Sequence, residues 1–165
     1  MTKSTFRPWI IVPVAISIIL LGTFVFFITR GEQIFSRDTP LLFKIFFSTF
    51  FIYFLVMLTW GELRTKAVKV LIDNSSITKK SFLGFGTKTT YKFSQIGGFS
   101  TSNVSSKSGT YEYLYIIVND KKVIKLSEFY HGNYKELKSD LMRKNIKNLG
   151  IEHWSFITET KEIFT

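Results

Sequence analysis

Five cations, Arg64, Lys66, Lys69, Lys79 and Lys80, fall between positions 64 and 80, and the chemistry such a group serves is attraction of an anion. Each Lys or Arg held close to an anionic bilayer surface contributes ~1 kcal/mol of attraction. Other chemistry has less to work with. His131 and His153 are the only histidines. His131, beside Gly132 between a strand pattern and a helix pattern, reads as an exposed linker residue, and His153, beside Trp154, reads as surface or packing. Neither has the His partner at i+4 or the nearby carboxylates that a zinc site requires. Cysteine is absent, which excludes disulfides, thiolate metal sites and cysteine nucleophiles. Gly84-Phe85-Gly86 and Gly97-Gly98 would cradle a phosphate only if they led into a helix N-terminus. They lie between strand patterns and read as turns or bulges. Glu112, Asp120 and Glu128 sit on or beside separate strands with no spacing for acid–base work. The residues therefore predict no catalytic group, no metal and no cofactor, and the chain reads as a non-enzyme.

Two apolar stretches, Trp9 to Ile28 and Leu41 to Trp60, dominate the first part of the 165-residue chain. At ~1.5 Å rise per residue, about 20 residues span the ~30 Å hydrocarbon core of a bilayer. Residues 1–62 are accordingly expected to form a membrane anchor with transmembrane helices at about 9–29 and 41–60. Lys3 and Arg7 precede the first stretch as they would in a signal peptide. However, the apolar run exceeds the usual ~7–15-residue signal core, and Ile28-Thr29-Arg30 offers no small-residue cleavage site. Pro13 falls in the first turn, where a missing N–H costs little. The connecting loop carries Arg30, Glu32, Arg37 and Asp38, whose charges cancel; Pro40 suits a helix start, and Lys44 is shallow enough to snorkel. Flanking cations, Lys3 and Arg7 before the first span and Arg64, Lys66 and Lys69 after the second, outnumber Arg30 and Arg37 between them. This bias predicts a multi-pass protein of the cell membrane with both termini cytoplasmic. Trp9 and Trp60 then mark the same interface, where indoles prefer to lie. Half of the 18 phenylalanines fall in the two stretches, so their excess belongs to the membrane part.

Residues 61–165 carry 17 basic and 10 acidic side chains. For a basic domain on a short tether (Gly61 to Ala67) the lipid surface is nearer than nucleic acid, so no nucleic-acid partner is expected. From Val68 the apolar period changes to two. Strands are predicted at Val68–Ile72, Ile77–Phe82, Thr87–Phe93, near Phe99, at Tyr111–Val118 and at Lys122–Leu126, with Asn119-Asp120 as a hairpin turn. Ser100 to Gly109, rich in Ser and Thr, reads as a flexible loop. Tyr134, Leu137, Leu141, Met142, Ile146 and Leu149 recur at helical spacing, predicting a helix over about 133–149. Asn133 and Glu136 resemble a capping box, and Gly150 is placed as a C′ residue. The opposite face carries Lys135, Lys138, Arg143, Lys144 and Lys147, which is either a solvated face or a lipid or partner contact. Residues 151–165, with Trp154, Phe156, Ile157 and Phe164, are too apolar for a free tail and are expected to pack back on the domain.

Short strands ending in one amphipathic helix, with the phrase Tyr115-Ile116-Ile117-Val118-Asn119-Asp120-Lys121-Lys122-Val123-Ile124 leading through Phe129-Tyr130 into Asn133-Tyr134-Lys135-Glu136-Leu137, resemble the bacterial pleckstrin-homology-like domains. In many of these two membrane helices precede the domain. The resemblance implies an α+β chain: a transmembrane helical hairpin, then, over residues 66–165, an antiparallel β-barrel or sandwich capped by a C-terminal helix. It also implies a binding or assembly module. The eukaryotic phosphoinositide-binding members cluster Lys and Arg around the first hairpin. Here that turn is Asp73-Asn74-Ser75-Ser76, so a specific phosphoinositide pocket is not implied. The expected partners are the lipid bilayer and either a second copy of the chain or another membrane or cytoplasmic protein. An anionic-lipid surface sensor using Arg64, Lys66, Lys69, Lys79 and Lys80, and a small accessory or immunity-type membrane protein, are the alternatives.

Overall fold

The computed structural model describes residues 1–34, 39–106, 109–155 and 159–160, with side chains of 31–34 and 106 left out. Arg37 and Asp38 of the connecting loop, and Phe156, Ile157 and Phe164 of the tail, lie outside the described residues, as does the Glu32 side chain. The architecture is α+β: two long apolar helices, two four-stranded sheets and one short amphipathic helix.

Helix α1 (Ile11–Ile34) follows a 3₁₀ turn at Pro8–Ile10, and α2 (Leu41–Val56) continues into a π-helical segment, Met57–Arg64. Two stretches, Pro8–Arg30 and Leu41–Arg64, are long and apolar enough to cross a membrane. None of the second stretch's apolar window is buried inside the protein. A core helix of a soluble protein would hide such a surface, and this one does not. The helices touch through Phe27, whose ring stands edge-on to Phe47 and Phe51 at 5.1 and 5.8 Å. Inside α1 the hydroxyls of Ser17 and Thr23 donate to the carbonyls of Pro13 and Ile19 one turn back, so both are paired within the helix itself.

The first sheet has the order β1 (Thr2–Lys3), β2 (Lys69–Ile72), β3 (Ser76–Lys80) and β4 (Lys88–Lys92), all antiparallel. The second has the order β7 (Lys121–Ser127), β6 (Gly109–Val118), β5 (Ile96–Ser106) and β8 (Asn148–Ile151), with β8 parallel to β5. Val70, Ile72 and Ile77 from the first sheet meet Phe99, Leu114, Ile116, Ile124 and Leu126 from the second. Leu137 and Leu141 of α3 (Tyr134–Arg143) complete that core. The two sheets remain separate among the described residues, so the arrangement is a helix-plugged sandwich and not a closed barrel.

Asn119 and Asp120 both have positive φ, 49° and 60°, the geometry of a type I′ turn that matches strand twist. Four expectations are corrected. The stretch Ser100 to Gly109 is no loop in its described part: β5 runs to Ser106 and β6 starts at Gly109. Helix α3 ends at Arg143 instead of about 149, because Asn145 turns left-handed (φ 57°) and the chain drops Ile146 into the core. Gly150 is consequently a strand residue of β8, not a helix C′. Asn133 does not close a capping box: its side chain accepts from the Thr5 N–H and donates to the Lys3 carbonyl.

That last pair belongs to a larger arrangement. Residues 2–7, ahead of the first span, are woven into the domain. Thr2 and Lys3 pair with Ile72 and Leu71. Ser4 donates its N–H to the Val70 carbonyl, and its hydroxyl accepts from the Val70 N–H, both at 2.8 Å. Phe6 bridges to His131, and Arg7 donates its N–H to the Tyr130 carbonyl. The chain entering the first helix and the chain leaving the second therefore meet at one end of the hairpin.

Candidate functional site at the membrane junction

The end of the second apolar helix meets the domain through a buried cluster of charges. Glu62 sits on the π-helical segment, and Lys66 follows it by one turn. Lys66 Nζ lies 2.5 Å from Glu62 Oε1 and 2.7 Å from Glu159 Oε1. Lys125 of β7 reaches the same Glu159 oxygen at 3.1 Å. The second oxygens are also occupied: Tyr130 donates its hydroxyl to Glu62 Oε2, and Trp154 its indole N–H to Glu159 Oε2, each at 2.9 Å. The ammoniums of Lys125 and Lys66 stand 4.5 and 5.6 Å from the centroid of the Tyr113 ring.

Burial opposes the charge on Lys66, but Glu62 and Glu159 outweigh it and raise its pKa above the ordinary lysine value. Burial alone would raise the Glu159 carboxyl; Lys66 and Lys125 overcome that and hold it below the ordinary value. The Tyr130 hydroxyl is pushed up, by burial first and then by the Glu62 carboxylate that accepts its hydrogen bond. Lys66 and Glu159 thus hold each other in their charged forms, and Glu62 and Lys125 extend the pair into a cluster. A cluster this connected can fix geometry, and the raised pKa of Lys66 keeps its ammonium protonated.

The register explains why the cluster forms on this face. Ser102, Tyr113 and Ser127 are cross-strand partners, as are Ser100, Tyr115 and Lys125, and all six are buried. This is the outward side of the second sheet, the side opposite Leu114 and Ile116. It is covered by the segment after β8, which is held where Glu152 donates its N–H to the Thr101 carbonyl (2.7 Å) and its carboxylate pairs with Lys122 (2.7 Å). The hydroxyls of Ser102 and Ser127 have no hydrogen-bond partner among the described residues. On the other side of the domain Glu112 accepts from the Tyr134 hydroxyl and the Lys138 ammonium, both at 2.6 Å, and so docks α3 onto β6.

His131 is the second locking point, and it is not the exposed linker residue its glycine neighbour implied. It is fully buried. Nε2 lies 2.8 Å from the Val68 carbonyl, and Nδ1 is within hydrogen-bond distance of both the N–H and the carbonyl of Ser127. Burial holds its pKa below the ordinary imidazole value, offset in part by those carbonyls. His153 is exposed.

The five cations do not act as one group. Lys66 is buried in the junction. Lys79 is on the inward side of its strand, donating to the Val123 carbonyl at 2.7 Å. Burial, and then the charge of Arg64, lower its pKa. Lys69 and Lys80 are cross-strand partners on the outer side of the first sheet. Lys88 of β4, which the sequence pattern did not single out, extends that pair to a row of three. Trp9 and Trp60 are largely exposed and lie at the domain end of the hairpin, Trp60 with its ring 6.3 Å from that of Phe82. Glu62, Glu159 and Tyr130 were not legible as a cluster, since 97 positions separate Glu62 from Glu159 and no spacing rule joins them.

No family model, characterised protein or solved structure matches the chain. Among the described residues no group of three His, Asp or Glu is placed to hold a metal ion.

Proposed function

We propose that this protein is a membrane-anchored, non-catalytic binding or assembly module of pleckstrin-homology-like type, working at the cytoplasmic face of the cell membrane. The observation that carries the reading is the double attachment of the domain to the hairpin. Residues 2–7 lock it to the first span, and the Glu62–Lys66–Glu159–Lys125 cluster locks it to the second. A domain on a flexible tether samples many orientations, whereas this one keeps its outer faces at a set height and angle to the bilayer. Such presentation suits recognition of a partner that is itself confined to the membrane surface. The strand order, the sandwich and the capping helix support the fold-level comparison. The non-catalytic reading is supported at two groups: the Lys66 pKa is raised, not lowered as a nucleophile requires, and both His131 nitrogens face backbone groups. The Lys and Arg bias around the spans supports the cytoplasmic placement of the domain.

Because the natural chain has no cysteine, single-cysteine variants read sidedness cleanly. Ser36→Cys in the connecting loop should react with a membrane-impermeant maleimide in intact cells, and Ser94→Cys in the domain only after lysis. The reverse pattern would overturn the orientation. For the binding role, a photo-crosslinking side chain at exposed Lys135 on α3 or Thr90 on β4 should give a discrete adduct in native membranes, either a dimer of the chain or one defined partner. A strictly monomeric protein with no adduct from either sheet or helix face would overturn it.

A further inference from the structure

The turn between β3 and β4 has an unusual build. Phe82 and Leu83 both adopt left-handed backbone conformations (φ 49° and 60°), and Gly84 follows at φ 101°. Such a run is strained for bulky side chains, and it is held from two sides. The Leu83 N–H donates to the Ala67 carbonyl at 2.7 Å, and the Leu83 side chain packs against the cluster of Ile10, Ala67 and Tyr130 at the roots of both spans. The Phe82 ring stands edge-on to Trp60. The product of this bracing is Phe85, which is 92 % exposed, the most exposed large apolar side chain among the described residues of the domain.

Directly behind it are three lysines in one row. Lys69, Lys80 and Lys88 occupy adjacent strands in register, about 4.8 Å apart from strand to strand. Like charges placed directly opposite one another destabilise a sheet. Among the described residues none of the three forms an ion pair with a carboxylate, and the one acidic residue between Glu62 and Glu112 in the sequence, Asp73, lies in the turn at the opposite end of β2. The Lys69 stem lies against Gly84, where an added Cβ would come within 2.9 Å of its Cδ, so cations and apolar tip form one surface. An apolar tip beside a cationic row, next to the interface end of two spans, matches a surface that is hydrocarbon behind and phosphate in front.

We infer that this turn is a third, peripheral contact of the protein with its own bilayer: Phe85 enters the interfacial layer, and Lys69, Lys80 and Lys88 share the phosphates of anionic lipids. The inference rests on the membrane-anchored reading above and replaces the five-cation group, two of whose members are engaged inside the protein.

The test uses the full-length protein with a polarity-sensitive fluorophore on Thr87→Cys, reconstituted into phosphatidylcholine vesicles with and without phosphatidylglycerol. With each lysine favouring the docked turn about fivefold near an anionic surface, anionic lipid should shift docking on the order of a hundredfold. The fluorophore should become quenched by brominated acyl chains and shielded from iodide. A fluorophore on Asn74→Cys, in the opposite turn, should stay aqueous. Phe85→Ser, and separately the triple Lys69→Gln/Lys80→Gln/Lys88→Gln, should return the Thr87 site to water. The same signal in both lipid compositions, or no effect of either variant, would overturn the inference. Alkaline carbonate extraction run alongside separates the two levels. A protein that stays embedded while the Thr87 site stays aqueous overturns the third contact alone, and a protein released from the vesicles overturns the spanning reading with it.

Discussion

His131 holds together three segments that are distant in the chain: β2 through the Val68 carbonyl, the end of β7 through Ser127, and the amino-terminal segment through the Phe6 ring at 5.3 Å. His131→Ala would leave buried backbone groups without partners and a cavity under Phe6. A loss of about 2–4 kcal/mol is expected, measurable by chemical denaturation in detergent. Its titration has a definite sign. The folded pKa lies below the ordinary 6.5, so in the window beneath 6.5 the unfolded chain binds more protons than the native one. Stability should therefore fall as pH drops from 6.5 towards the folded value, and this slope should vanish in His131→Gln. A slope that survives the substitution would place the titration elsewhere. Nothing in the sequence marks this residue, because a histidine beside a glycine after a strand is ordinary loop composition. Its role depends on carbonyls 4 and 63 positions away.

At the scale of elements, β1 is the piece whose removal tests how the domain is held. It is two residues long, too short to display a period of two, and it abuts a stretch that reads as membrane flank. The residue that follows it extends the attachment with a specific contact: the Ser4 hydroxyl accepts the Val70 N–H in a buried position. Ser4→Ala strands that donor and should cost about 1–3 kcal/mol. Amide exchange should speed up along Lys69–Ile72 while β6 and β7 stay protected; equal acceleration in all three would mean the strand acts on the global fold. The longer elements were legible in proportion to how cleanly one face is apolar. The hairpin and the β6–β7 pair stand out because apolar length and the Asn119-Asp120 turn are local signals. Strand β5 hides because its outward residues, Ser100 and Ser102, are polar and yet buried beneath the segment after β8, so its composition imitates a loop. Helix α3 read too long because Ile146 and Leu149 continue its spacing by coincidence: Ile146 enters the core from an extended segment, and Leu149 belongs to β8.

For the whole molecule, the open question is whether the junction behaves as a unit that fixes the domain to the second span. Lys66, Lys125 and Glu159 side chains are 9, 7 and 14 % exposed, so removing one partner leaves an uncompensated buried charge, which typically costs about 3–5 kcal/mol. Removing two together spares most of that cost. In Lys66→Met, Glu159 loses the Lys66 ammonium and keeps Lys125 and the Trp154 N–H; in Glu159→Gln, Lys125 loses its ion pair with Glu159 and keeps the Tyr113 ring. In the double variant the remaining Glu62 still accepts from Tyr130. A double-mutant cycle should give a coupling of about 1–3 kcal/mol, read as protection of residues 148–155 against amide exchange in nanodiscs. The pH dependence follows from the same two groups. Glu159 has a depressed carboxyl pKa, so its contribution is fully present above 4.5 and is lost as pH falls through the folded value. Lys66 has a raised pKa, so its contribution is present below 10.5 and is lost only as pH rises through its folded value. The segment after β8 should accordingly stay protected across the neutral range and open on the acid side first, with Glu159→Gln weakening the acid transition and leaving the share set by Glu152, whose carboxyl pKa is also held down, against burial, by Lys122. Additive single effects would mean that the two spans carry the domain through β1 alone, and the domain would then swing on its amino-terminal strand.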